Sequence, residues 1–407
     1  MRDFQRVKLK YVAEIFTGNS IPDNEKNRYI NGAIPYIPTK EVDADTGKIN
    51  YDNGLSVNAD DGFKIAPADS VLMCVEGGSA GKKIGVTEKQ VAFVNKLCCL
   101  APVGVFHRLL YYCLLSHDFQ EQFRLNMTGM IGGVSVSALK NLSITLPPSE
   151  EEQRAISAYL DAQTAKIDEA LSLNRMQIHE LRLYKQSLIT ETVTRGLDPD
   201  APMKDSGVDW IGQIPKHWQE CRIKNVIFPE EKPIFTDDEI ITCFRDGQVT
   251  LRKNRREDGF TFSDTEAGYH GVDVGDLVIH GMDAFAGAIG CSDSRGKITP
   301  VVHVCSTAGD NRYFMYYLRF MAYGNILMDL ANGVRERSSD YRNFARLGVY
   351  GIIVPPLVEQ EQIADFLDAE CGKIDALISL KQSKIEKLTR YRQSLIYEYV
   401  TGKKEAP

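Results

Sequence analysis

Between residues 152 and 194, apolar residues recur at alternating steps of four and three. The run is Ile167, Leu171, Asn174, Ile178, Leu181, Lys185 and Leu188, with Asn174 and Lys185 standing where apolar residues are due. A 3.5-residue period predicts a helix that carries a coiled-coil seam. The same steps return as Ile374, Ile378, Lys381, Ile385, Leu388, Arg392 and Leu395, with both polar interruptions at matching places. A polar group in a seam costs stability and fixes register.

The two stretches are copies. Residues 152–194 align with 359–401 at a constant offset of 207, with 21 of 43 positions identical and no gap. Pro147-Pro148 ends what precedes the first helix, Ser149 and Glu152 form an S-x-x-E capping box, and Gly196 followed by Pro199 stops it. The second helix follows Pro355-Pro356 without a capping box and stops at Gly402. Each predicted helix has about 45 residues, roughly 65 Å at 1.5 Å per residue.

The segments ahead of the helices correspond more weakly. Val7-Lys8-Leu9-Lys10 resembles Cys221-Arg222-Ile223-Lys224, and Ala68-Asp69-Ser70-Val71-Leu72 resembles Gly275-Asp276-Leu277-Val278-Ile279. Leu110-Tyr111-Tyr112 resembles Met315-Tyr316-Tyr317, and Ile144 to Pro148 resembles Ile352 to Pro356. Short β-branched runs broken by Gly, Pro, Asn and Asp read as strands and turns. Residues 109–124 and 312–330 read as helices. The expected fold is α+β: two tandem α/β globules, each followed by a long helix, the two helices pairing as an antiparallel coiled coil. The expected boundaries are a first globule at 1–146, a helix at 147–196, a linker and second globule at 197–353, and a helix at 354–407. Antiparallel pairing is favoured because the Pro- and Asp-rich linker after Gly196 is too short to retrace a 65 Å helix. The seam from Ile167 to Leu188 spans roughly 33 Å, close to the ~34 Å of one DNA turn. Two readers on a spacer of that length suit a bipartite DNA site.

Composition narrows the chemistry. The 407 residues are 43% apolar and 25% charged, ordinary for a globular protein. No apolar run reaches the ~18 residues of a membrane span, and no signal peptide is evident at the start, so a cytoplasmic location is expected. Nine cysteines without a C-x-x-C predict reduced thiols, and seven histidines without paired-ligand spacing predict no metal site. The net charge of −7 excludes a uniformly basic nucleic-acid binder but leaves room for local basic patches.

Positive charge gathers in four loops. Thr39-Lys40 follows Pro35–Pro38, and Lys82-Lys83 follows a glycine-rich turn. Arg252, Lys253, Asn254, Arg255 and Arg256 form the densest cluster, after the strand-like Gln248–Leu251. Arg335, Arg337, Arg342 and Arg346 form another. Residues 205–353 hold 17 Lys and Arg against 21 Asp and Glu. Four cations within five residues of such a segment, with no helical i, i+4 carboxylates, point to phosphate contact, and Arg and Asn also read guanine and adenine edges.

Catalytic patterns fail. Gly77-Gly78-Ser79-Ala80-Gly81 fits the G-x-S-x-G elbow, but a strand rather than a helix is expected after it. Gly81-Lys82 lacks the first glycine and the Ser/Thr of a phosphate-binding loop. Two rival readings follow from this: a coiled-coil scaffold that binds only proteins, and a hydrolase using Ser79.

Ile144-Thr145-Leu146-Pro147-Pro148, Glu151 to Ile156, Tyr159-Leu160-Asp161, Lys166-Ile167-Asp168 and Tyr184 to Ile189 resemble the first conserved region of type I restriction–modification specificity (S) subunits. Val354 to Thr401 resembles the second. Met203 to Trp218, with Trp210-Ile211-Gly212 and His217-Trp218, is similar to the segment that opens many of their target recognition domains. The first globule starts at Val7-Lys8-Leu9-Lys10 without that lead-in. The resemblance implies a non-enzymatic adaptor. Each globule would read half of a split DNA target. The helices would set the spacer and dock two modification subunits that bind S-adenosylmethionine and methylate adenine. Restriction subunits would supply ATP- and Mg-dependent translocation and cleavage, and this chain would bind no cofactor of its own.

Overall fold

Glu150–Arg195 is one continuous helix of 46 residues and Leu357–Val400 another of 44. These are the long elements of a computed structural model, which describes residues 4–129, 132–208, 210–255, 268–327 and 344–405. Ser149 Oγ accepts from the Glu152 N–H at 3.2 Å, and Gly196 and Gly402 end the helices at φ of 77° and 71°. A positive φ there releases the chain from the helix without a Cβ penalty.

Both helices are shared between two units. Met1–Met176 with Lys381–Pro407 makes the first, and Gln177–Leu380 the second. The units repeat one topology. A short strand opens each globule and pairs antiparallel with the last strand before the long helix: Val7 faces Ile144, and Cys221 faces Ile352. In the first unit an antiparallel sheet runs Ala13–Thr17, Leu97–Pro102, Val71–Cys74, Ile84–Val86. In the second the same order is Ile227–Glu230, Val302–Thr307, Leu277–His280, Ile289–Cys291. The first unit adds a four-stranded sheet with one parallel pair, Ile34–Ile37 beside Val91–Phe93. Among the described residues the second has three further two-stranded ladders, one of them Ile241–Cys243 with Val249–Leu251.

The helices after these sheets differ from the expected ones. Residues 109–124 form two helices, His107–Leu115 and His117–Leu125. Ser116 breaks the run: its backbone is extended, and its hydroxyl caps the second helix by accepting from the Phe119 N–H. In the second unit the helix is Asn311–Tyr323, ended by Gly324 and by Asn325 at φ 58°.

Identical residues fasten each globule to its long helix. The buried Gln153 accepts from the Phe106 N–H at 2.8 Å, and the buried Gln360 accepts from the Asp310 N–H at 3.1 Å. Each glutamine thus satisfies a donor at the start of the helix that follows the sheet. About two turns on, Asp161 accepts from Arg108 and from the Tyr112 hydroxyl at 2.6 Å. Asp368 accepts from Arg312 at 2.9 Å and the Tyr316 hydroxyl at 2.8 Å. These contacts correct the expected alignment: Tyr112 corresponds to Tyr316, not to Tyr317.

Within each unit the helix pairing is antiparallel. In the first, the Tyr159 and Tyr399 rings lie 4.6 Å apart, and Asp168 lies 3.0 Å from Arg392. Moving forward along one helix is moving backward along the other. In the second, Lys185 lies 2.7 Å from Asp375. All fourteen seam residues are buried or half-buried. Ile156 and Leu160 join the first core beside Leu395, Ile396 and Val400. The corresponding Ile363 and Leu367 join the second core beside Ile189 and Val193. Each such side chain stabilises its unit by roughly 1.5–3 kcal/mol.

The second unit has an extra fastening. Trp218 is fully buried, and its indole N–H donates to Glu359 at 2.8 Å. His217 lies 2.6 Å from the other oxygen of the same carboxylate. Glu359 sits in the first helical turn, where a negative charge is favoured. The Trp218 ring also packs over Gly196, where an added Cβ would approach it to 3.0 Å.

Candidate nucleic-acid interface

In the first unit two candidate groups that are distant in sequence come together. Thr39 and Lys40 sit in a short turn, Thr39–Glu41. Lys83 donates from Nζ to the Thr39 carbonyl at 3.0 Å and to the Lys40 carbonyl at 3.3 Å. Lys40 itself is exposed, 3.5 Å from Glu41, and Lys82 reaches back to the Gly78 carbonyl at 3.4 Å. The glycine-rich turn closes through the Gly81 N–H onto the Cys74 carbonyl, and Ile84–Val86 follows as a strand. Ser79 therefore sits on a strand–turn–strand, without the helix that a nucleophile elbow needs.

In the second unit Arg252, Lys253 and Asn254 form a short turn directly after Val249–Leu251. Their charge is not unpartnered, contrary to the expectation from spacing. Lys253 lies 2.5 Å from Glu239 and Arg255 lies 2.8 Å from Asp246, both carboxylates coming from neighbouring segments rather than from a helix. Arg255 stacks over Phe244 at 4.2 Å, and Arg252 donates from Nε to Thr242 at 3.3 Å. Asn254 donates to Thr250 at 2.8 Å. Arg256, Arg335, Arg337 and Arg342 lie outside the described residues. Arg346 is on the short helix Phe344–Leu347.

Arg252 and Arg255 line an open cleft of about 780 Å³. Its wall also carries Arg245, Asp246, His280 and Asp283, with Ile241, Cys243 and Val302 among the apolar residues beneath. Arg245 is a lone cation at a hairpin tip and carries no distinguishing pattern in the sequence. It donates to Asp283 at 2.9 Å. His280 accepts the Asp283 N–H at 3.1 Å and the Met282 N–H at 3.2 Å. Burial pushes its imidazole below the usual range, which favours the neutral acceptor form. Cys243 is pushed up to about 12 by burial, and Cys98, Cys99 and Cys113 likewise, so these thiols stay protonated at neutral pH. Among the described residues, no group of three or more His, Cys, Asp or Glu is placed to hold a metal ion, and no helix is long and apolar enough to cross a membrane.

Twin α+β units, each fastened to its own long helix by the same Gln and Arg–Asp–Tyr contacts, define a duplicated fold with polar, cation-bearing loops. Residues 1–174 match the family model for the type I restriction modification DNA specificity domain. The fold of the chain is similar to that of a chain from a structure on complex assembly and conformational transition of the type I R-M system. There the TM-score is 0.66 at 17% identity, over 98% of both chains. The HsdS subunit from Thermoanaerobacter tengcongensis aligns at TM-score 0.46 and 18% identity, over 98% of this chain and 97% of that one. The S subunit from M. genitalium aligns at 0.45 and 14%, over 98% and 96%.

Proposed function

We propose that this chain is the sequence-reading subunit of a type I restriction–modification complex and performs no chemistry itself. Each unit reads one half of a bipartite DNA target. The paired helices set the non-specific spacer and dock two modification subunits, which bind S-adenosylmethionine and methylate adenine. Restriction subunits add ATP- and Mg-dependent translocation and cleavage.

The observation that carries this reading is the duplication: a DNA specificity match over residues 1–174, and the same fastening contacts repeated in the second unit. Two readers on one chain suit a target with two halves. The helix surfaces support docking. Leu173 and Leu380, at corresponding positions, are 47% and 67% exposed, and Tyr184 and Tyr391 are 58% and 57% exposed. Large apolar side chains facing solvent at the same places in both copies suit two copies of one partner.

The test lengthens the helices. Inserting four residues near Ile178 and four near Ile385 adds about 6 Å. With modification subunits present, the preferred spacer grows by one to two base pairs, about 3.4 Å each. An unchanged spacer contradicts the ruler. Absence of DNA binding by the assembled wild-type complex favours a protein-only scaffold.

A further inference from the structure

The two units carry the same hairpin with different tips. In the first, the Asp43 N–H donates to the Lys48 carbonyl at 2.9 Å; in the second, the Phe244 N–H donates to the Gln248 carbonyl at 2.9 Å. Each hairpin rests on a strand glycine. A Cβ added to Gly85 would lie 2.6 Å from the Gly47 carbonyl oxygen, and one added to Gly290 would lie 2.1 Å from that of Gly247. Only glycine allows so close an approach. The support is therefore common to both units, while the tips diverge: Ala44-Asp45-Thr46 in one, Arg245-Asp246 in the other. In the first unit Asp45 pairs with Arg175 of the long helix at 2.9 Å. In the second, the tip places Arg245 on the wall of the 780 Å³ cleft, with Arg252 and Arg255.

We propose that this cleft is the base-reading surface of the second unit and that Arg245 and Arg252 are its specificity-determining residues. The proposal rests on the DNA-reading function above and names where the second unit does it. Three arginines interleave with Asp246 and Asp283, a net charge of only one. Carboxylates repel phosphates, so a backbone cradle would exclude them. Base edges are different, because they present donors and acceptors side by side: arginine matches guanine O6 and N7, and a carboxylate accepts from cytosine N4. Arg245 is held at one nitrogen, Nη2, by Asp283, which is itself fixed through its backbone N–H to His280. That contact orients the guanidinium while leaving its other nitrogens exposed to meet a base edge. Arg255, stacked on Phe244 and paired with Asp246, supports the wall. Divergence at this tip, on a support that both copies retain, is what an asymmetric two-part target requires.

The experiment assembles the methyltransferase complex with wild-type chain, Arg245→Ala, Arg252→Ala or Asp283→Asn, and selects bound duplexes from a random-sequence DNA library. Wild type returns a two-part motif. Each arginine variant loses preference at one or two positions of one half, by roughly 5- to 150-fold, and keeps the other half. The retained half also shows that the complex is folded. Asp283→Asn alters the same positions as Arg245→Ala. If the variants return the wild-type motif, the proposal is overturned, whether binding is uniformly weaker with a shallower salt dependence or is unchanged. If the wild-type complex itself selects no motif, the DNA-reading function falls, and this assignment falls with it.

Discussion

Asp168 and Arg392 meet at 3.0 Å across the paired helices of the first unit, and each has its duplicate in the second-unit pair Asp375 and Lys185. The same acid and the same basic position, 207 residues apart, are therefore used twice with the roles of the two helices exchanged. Burial holds the Asp168 carboxyl above its ordinary range even with the guanidinium beside it. Desolvation thus outweighs the attraction, and the pair acts to fix register more than to add stability.

Removing one partner is therefore costlier than removing both. Arg392→Met leaves a half-buried carboxylate alone and lowers unfolding free energy by on the order of 2 kcal/mol. The double variant Asp168→Leu with Arg392→Met recovers most of that loss. Urea unfolding of the three proteins checks this, and a double variant as unstable as the single one contradicts it.

The exposed leucines predict stoichiometry. Leu380→Asp or Leu173→Asp alone leaves one modification subunit bound, and the two together leave none, because each copy presents its own surface. Mass photometry of the mixed subunits counts them directly. Two subunits retained by the double variant would place docking elsewhere.

Much of this architecture is legible in the sequence because a heptad is a one-dimensional pattern. Ile167, Leu171 and Leu395 are buried where the spacing puts them. The Arg108–Tyr112–Asp161 contact is not legible in that way. Asp161 and Asp368 are 207 residues apart, but Arg108 and Arg312 are 204 apart, so a search at one offset finds the acids and misses their partners. The break at Ser116 was hidden because serine is tolerated inside a helix and only its extended backbone and its bonds to Cys113 and Phe119 show a cap. The cation cluster at 252–255 misled for a related reason. Its carboxylates, Glu239 and Asp246, arrive through sheet and hairpin geometry that local spacing does not encode.

The second unit carries an acid-sensitive network. Arg295 donates to Asp238 at 3.0 Å and pairs with Asp273, which also accepts from Lys232 at 3.0 Å. The guanidinium holds the carboxyls of both Asp238 and Asp273 below their ordinary range. A depressed carboxylate pKa contributes stability that is full above the unfolded value near 4 and lost as pH falls through the folded value. Arg295→Gln therefore costs roughly 1.5–3 kcal/mol at pH 7, and progressively less below pH 4. Thermal unfolding of both proteins across that range tests it. A gap that persists unchanged at pH 2.5 would show that these carboxylates are not its source.

Exchanging residues 205–353 for the corresponding segment of another specificity chain, and mapping the motif methylated by the reassembled complex, tests the central claim most directly. The account predicts a two-part motif in which one half changes, while the other half and the spacer length remain those of the parent. A motif that changes in both halves, or a single uninterrupted motif, contradicts it.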